Sequence, residues 1–194
     1  MRNKSIKNFL LIAAGALFIG AAPVKNSYVL SKDFVVTING TSNLHSWDEK
    51  VETVSGYGIV NFNTDGSFEL EAINIKMEVH SIKSDMGSVM NNNTYKALKA
   101  DANPQIIFAL TLPVKSNQKA VSAKGNLTIA GITKPVAMNV KVSMQDKEKL
   151  VFEGTQTIKM TDYGIDPPVA LFGTLKTGNE ITISFKTNFI LTTN

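Results

Sequence analysis

Two histidines and a scatter of hydroxyls and carboxylates are the groups in this chain that could do chemistry at neutral pH. His45 stands between Ser42 and Ser46 in LHSWD, His80 closes a long alternating run, and Asp162 and Asp166 share the stretch TDYGIDPP. A Ser beside a His suggests a nucleophile with its base, but no G-x-S-x-G elbow is present to hold such a Ser exposed. Two neighbouring carboxylates suggest acid–base work on a glycosidic bond. Asp beside Gly and Pro more often bonds backbone amides in a turn, and that reading is preferred. His45 and His80 lack the third ligand and supporting shell that zinc requires. The sequence has no cysteine, which removes disulfides, thiolate metal sites and cysteine nucleophiles. Walker and G-x-G-x-x-G loops are missing as well. The expectation is a non-enzyme, with no catalytic residue, no metal site and no cofactor.

The elements that would position these residues are strands. In and just ahead of the stretch Ala123 to Val142, Val121, Ala123, Gly125, Leu127 and Ile129 alternate with Ser122, Lys124, Asn126, Thr128 and Ala130. Beyond the break Gly131 to Pro135, Val136, Met138, Val140 and Val142 alternate with Ala137, Asn139, Lys141 and Ser143. Period-two alternation means one buried and one wet face, and two such runs across a short break make a hairpin. Pro135 cannot donate to a ladder, which assigns it to the turn or to the first residue of the second strand. Similar runs occupy Asp33 to Ile38, Val54 to Phe62, Ser67 to His80, Gln105 to Pro113, Leu150 to Met160 and Ile181 to Leu191. The parity slips near Ala72, which predicts a bulge there. Asp85 to Ala100 lacks alternation and reads as a short helical crossover capped by one of Asn91, Asn92 or Asn93. About eight or nine strands with one helix predict an all-β sandwich or barrel.

Composition is ordinary: 43% hydrophobic, 19% charged, enough for one domain with a core. Residues 1–22 begin with Arg2, Lys4 and Lys7, continue with an apolar run from Phe9 and end in Gly20-Ala21-Ala22. That is the three-part pattern of a cleaved signal peptide, and the run is shorter than the roughly 20 residues a membrane-spanning helix needs. Residues 23–194 are then one exported domain, expected in the periplasm. Of 20 basic residues, removing those three leaves 17 against 16 acids, a near-neutral surface with no case for nucleic acid.

Several pieces together resemble the YceI-like family of exported polyisoprenoid-binding proteins. They are GTSNLHSW at Gly40–Trp47, MNNNTYKALKADANPQIIF at Met90–Phe108, GNLTIAGITKPVAMNV at Gly125–Val140, MTDYGIDPP at Met160–Pro168 and LKTGNEITISF at Leu175–Phe185. The resemblance implies an antiparallel eight-stranded lipocalin-like barrel with one short helical crossover. Its apolar interior would hold a long-chain isoprenoid or another lipid. A barrel of this size either packs solid or admits one ligand. The inward set reads as Leu, Ile, Val, Phe and Met without charge, and Met77, Met138 and Met160 would give it a soft lining. The interior residues expected against a ligand are Phe68, Met77, Phe108, Leu110, Leu127, Met138, Val140, Phe172 and Phe185. If LHSWD is extended, His45 and Trp47 share a parity and would stand at the barrel mouth. The competing reading, slightly preferred, makes Trp47 a plug and bonds His45 to backbone.

The partner expected is that lipid; nucleic acid is not, the chain is not membrane-spanning, and a homodimer is left open. Rival readings are a filled barrel acting by protein contact in envelope stress or assembly, and an enzyme built on the LHSWD and TDYGID loops. An outer-membrane barrel ranks last, for want of aromatic girdles.

Overall fold

The computed structural model describes residues 25–145 and 147–192; the expected signal peptide lies outside them. In chain order the elements are β1 (Lys25–Ser42), β2 (Ser46–Val51), β3 (Val54–Phe62), β4 (Phe68–Glu78), β5 (Ile82–Lys83) and α1 (Ser88–Ala97). They continue with β6 (Gln105–Leu110), β7 (Val114–Ser116), β8 (Ala120–Ile129), β9 (Ile132–Gln145), β10 (Lys149–Lys159), β11 (Val169–Ala170) and β12 (Leu175–Leu191).

Eight of these strands close a barrel in the order β1-β3-β4-β6-β8-β9-β10-β12, and β12 pairs back onto β1. Every neighbouring pair around the ring is antiparallel. The alternation seen in the sequence is what closes it. Along β8, Val121, Ala123, Leu127 and Ile129 are buried while Ser122, Lys124 and Asn126 are exposed. The turn into β9 has Ala130 at φ 48° and Gly131 at φ 81°. A two-residue turn with both centres left-handed matches the twist of the strands it joins. The predicted bulge is present: Ile59 pairs with Ala72 but Val60 pairs with Leu70, leaving Glu71 extra.

Four expectations are corrected. Pro135 lies inside β9, opposite Asn126. This is tolerated because β10 pairs with β9 only from Val140 onward, which leaves the first half of β9 with a free edge. Helix α1 is not capped by an asparagine; its N-cap is Gly87 with no side-chain bond. Asn91 instead accepts a hydrogen bond from the Ser84 amide at 2.8 Å, tying down the segment ahead of the helix. The LHSWD segment is part strand, since Ser46–Val51 pairs with β1 as β2. Finally, β1 is far longer than Asp33 to Ile38, because its two halves serve different partners, β3 below and β2 above.

The lower end, at the β3–β4 and β9–β10 turns, is plugged. Tyr28, Phe68, Leu150 and Phe189 are all buried there. The Phe152 and Phe189 rings meet edge to face at 5.4 Å, and the Tyr28 hydroxyl donates to the Lys147 carbonyl at 2.6 Å. The upper end is closed by different means: β2, helix α1 and the segment 160–174 lie across it. None of the ten residues of α1 is fully buried, as expected of a lid and not of a core helix.

Candidate ligand chambers

Two chambers are stacked inside the barrel, with Ile183 lining both. The lower chamber has a volume of about 100 Å³ and is walled by strands alone. Met77, Phe108, Leu110, Leu127, Met138, Val140 and Phe185 all line it, as the sequence parity predicts. Gln156 and Thr187 are the polar residues in an otherwise apolar wall.

The space exists because two aromatic rings lie against glycines in the wall. A Cβ on Gly125 would fall 2.4 Å from Cε2 of Phe108 and 2.7 Å from the Ala109 carbonyl oxygen. Gly154, directly opposite Phe185, would place a Cβ 2.9 Å from that ring. Real Cβ atoms do not approach so closely, so glycine at these positions lets the rings lie flat, and a bulkier wall would push them toward the axis.

The upper chamber has a volume of about 110 Å³ and a mixed wall. Trp47 and Glu49 come from β2, Met90, Asn93 and Thr94 from α1, and Met160, Ile165 and Leu175 from the last third of the chain. Trp47 and Glu49 point inward together because they are two residues apart on one strand. The Trp47 indole covers Gly40, its register partner, and donates Nε1–H to the Thr41 carbonyl at 3.1 Å. Glu49 is 2% exposed, and its Oε1 accepts a 2.6 Å hydrogen bond from the Thr94 hydroxyl. Burial raises its carboxyl above the usual carboxylate range; the Thr94 hydrogen bond opposes this, and neighbouring Asp48 adds to it. The expectation of an inward set without charge is therefore corrected by Glu49. The signal is in the sequence: Glu49 lies between Trp47 and Val51 on one parity of a strand.

The remaining expected site residues lie elsewhere. Phe68 is buried in the lower plug and lines neither chamber. His45 is exposed on the β1–β2 turn, where Nδ1–H donates to the Ser46 carbonyl at 3.0 Å. Phe172 is fully exposed and corrects its interior assignment. It sits at φ 54° in the turn Leu171–Gly173, outside the barrel, because β12 does not begin until Leu175. Asp162 and Asp166 are both exposed. His80 is exposed at the lid, its ring 4.9 Å from Tyr95 and its Nε2 3.5 Å from Asp101. Among the described residues, no three His, Asp or Glu side chains gather about one point. No described helix is long and apolar enough to cross a membrane. The outward parity of the barrel carries residues such as Lys124, Lys141, Glu153 and Lys159.

Fold and interior together define a lipocalin-like barrel: a closed antiparallel sleeve, plugged below and lidded above, with apolar space on its axis. The sequence matches the YceI-like domain over residues 32–189, and the chain belongs to that family. A UPF0312 protein of Pseudomonas paraeruginosa is 28% identical over 166 residues, covering 77% of this chain and 85% of that one. Another, from Pseudomonas savastanoi pv. phaseolicola, is 22% identical over 187 residues, covering 88% and 94%. Among solved structures, a polyisoprenoid-binding domain from Saccharophagus degradans superposes with a TM-score of 0.66 at 10% identity, covering 86% of this chain and 98% of its own. BcnA of Burkholderia cenocepacia superposes at 0.63 with 19% identity, covering 80% and 95%. At such identities the likeness is one of fold.

Proposed function

We propose that the protein is an exported carrier or sequestering protein that buries a polyisoprenoid or similar long apolar chain in the barrel, without catalysing a reaction. The observation that carries this is the lower chamber, which is strand-walled, almost wholly apolar and kept open by Phe108 lying on Gly125. A core under selection for stability alone would be expected to fill such a space, since voids forfeit packing contacts. The fold shared with a polyisoprenoid-binding domain supports the same reading. Export to the periplasm rests on the signal-peptide pattern of residues 1–22.

The mechanism is burial. Each methylene moved from water to the chamber contributes about 0.8 kcal/mol, so affinity accumulates along the chain without a decisive polar contact. Native mass spectrometry of the mature protein from its own envelope, followed by organic extraction, tests this. A stoichiometric isoprenoid or long-chain lipid is expected. Met138→Trp and Leu110→Trp each fill the lower chamber and are expected to leave a folded barrel with no bound lipid. Normal lipid uptake by either folded variant would sink the interior site. A wild-type barrel that stays empty after incubation with polyisoprenoids would favour a protein-contact role.

A further inference from the structure

The upper chamber contains chemistry that burial of a chain does not need. An ionisable carboxyl is almost never fully buried unless paired, and Glu49 is 98% buried with no cation beside it among the described residues. Among the described residues, no Lys or Arg lines the chamber. The one hydrogen-bond partner of Glu49 among the described residues is the Thr94 hydroxyl, which occupies Oε1. The second carboxyl oxygen therefore has acceptor capacity to spare. Asn93, one residue earlier on the lid, lines the same space and brings an amide with both donor and acceptor groups. Trp47 supplies a flat apolar face whose N–H is already engaged by Thr41, so it offers contact without a free donor.

We infer that the upper chamber is a head-group site for an uncharged, hydroxyl-bearing apolar chain, with Glu49 accepting the ligand's hydroxyl and the chain running down into the lower chamber. The proposal rests on the lipid-binding reading above and adds a selectivity that reading does not contain. A phosphate or carboxylate head entering this space would lose its hydration with no cation to replace it, and would face an acidic side chain. A head with no donor, such as an ether, would leave Glu49 as it stands and gain only from burial.

Three probes with one tail separate these effects: geranylgeraniol, its methyl ether and its diphosphate. Each is titrated into the mature full-length protein at a pH above the range over which folded Glu49 loses its proton, so that the carboxylate can only accept. Trp47, the only tryptophan in the sequence, is the fluorescent reporter, and calorimetry is the independent readout. The alcohol is expected to bind roughly ten- to a hundredfold more tightly than the ether, the range for a hydrogen bond to a charged or buried acceptor. The diphosphate is expected to bind more weakly than either. Glu49→Gln should relieve the penalty on the diphosphate, bringing it closer to the ether.

Equal binding of alcohol and ether by the wild type, or diphosphate binding as tight as the alcohol, would overturn the head-group site while leaving the apolar cavity standing. Failure of all three probes to bind would overturn the cavity reading itself. If Glu49→Gln does not fold, the alcohol-to-diphosphate ratio in the wild type and in Thr94→Val decides the matter. Thr94→Val frees Oε1 and should widen the preference for the alcohol; a ratio near one in both proteins would refute it.

Discussion

The two chambers share a barrel and a boundary residue, Ile183, yet they are built by different rules. The lower one is walled by barrel strands alone, so its lining follows from parity and is almost uniformly apolar. The upper one adds to the barrel strands a short strand outside the ring, an exposed helix and a 3-10 turn, and the helix and turn follow no two-residue period. Its polar groups come from these added elements, Glu49 from β2 and Asn93 and Thr94 from α1. The comparison teaches that a closed sheet can supply volume, whereas polar discrimination enters where the sheet gives way to other elements. The lower end is accordingly expected to carry more of the stability and the upper end more of the selectivity.

The largest effect should come from truncating the lower plug. Phe189 is 1% exposed and packs edge to face on Phe152. Phe189→Ala is expected to cost about 3–5 kcal/mol in urea unfolding, the range for emptying a buried aromatic site. Met90→Ala on the half-buried lid should cost less than about 2 kcal/mol. Comparable losses at the two sites would erase the division between a structural floor and a light lid.

Next in size is the wall glycine. In Gly125→Ala the new methyl meets Phe108 and the Ala109 carbonyl, and the ring is the part that can swing. The cost should be about 1–3 kcal/mol, as for overpacking, and the displaced ring should occupy the lower chamber. Lipid affinity is then expected to fall, and Phe108→Leu on the same background should restore it. Unchanged lipid binding by folded Gly125→Ala would show that the lower chamber is not where the chain resides.

This division also explains what could be read from the sequence. Every barrel residue expected against a ligand in the runs Met77 to Val140 lines the lower chamber, because alternation encodes which way a strand residue points. The bulge at Ala72 was legible for the same reason, as a break in parity. Phe68 shares the inward direction but sits too low, and parity says nothing about height along the axis. Phe172 was misplaced because it lies in a turn, where a large apolar residue carries no periodic signal. Glu49 is hard to read as an inward residue because its charge conceals a strand position, although Trp47 and Val51 flank it at the right spacing. Thr94 could not be found at all without knowing how α1 folds back across β2.

A smaller effect, confined to the upper chamber, is the dependence of stability on pH. Burial raises the Glu49 carboxyl above its ordinary range, so the folded state holds this proton at pH values where the unfolded chain has released it. Stability from this group is thus full below the unfolded value and declines as pH rises through the folded one. Glu49→Gln should flatten that decline relative to the wild type in unfolding curves taken from acid to neutral pH. Asp65 and Glu71 run the other way, held low by hydrogen bonds from Ser67 and from Lys25 and Asn61, but both are common to the two proteins and cancel in the difference. Parallel curves for wild type and variant would mean that Glu49 titrates as it does in the unfolded chain, and the polar character assigned to the upper chamber would lose its support.

The smallest expected change is the response to very long chains, and it tests whether the chambers act as one space. The chambers are of similar volume, about 100 and 110 Å³, so a chain that threads both should reach its affinity limit at roughly twice the length that fills one. Along the series geraniol, farnesol, geranylgeraniol and longer prenols, affinity should climb steeply, by up to about fourfold per buried methylene, and then level off. If Ile183 separates two independent pockets, levelling would come at about half that length. A slope that continues undiminished into the longer prenols would mean that the lid and the segment 160–174 yield to the ligand. Selectivity would then belong to a moving upper end, and the lower chamber alone would keep the fixed dimensions that its strands impose.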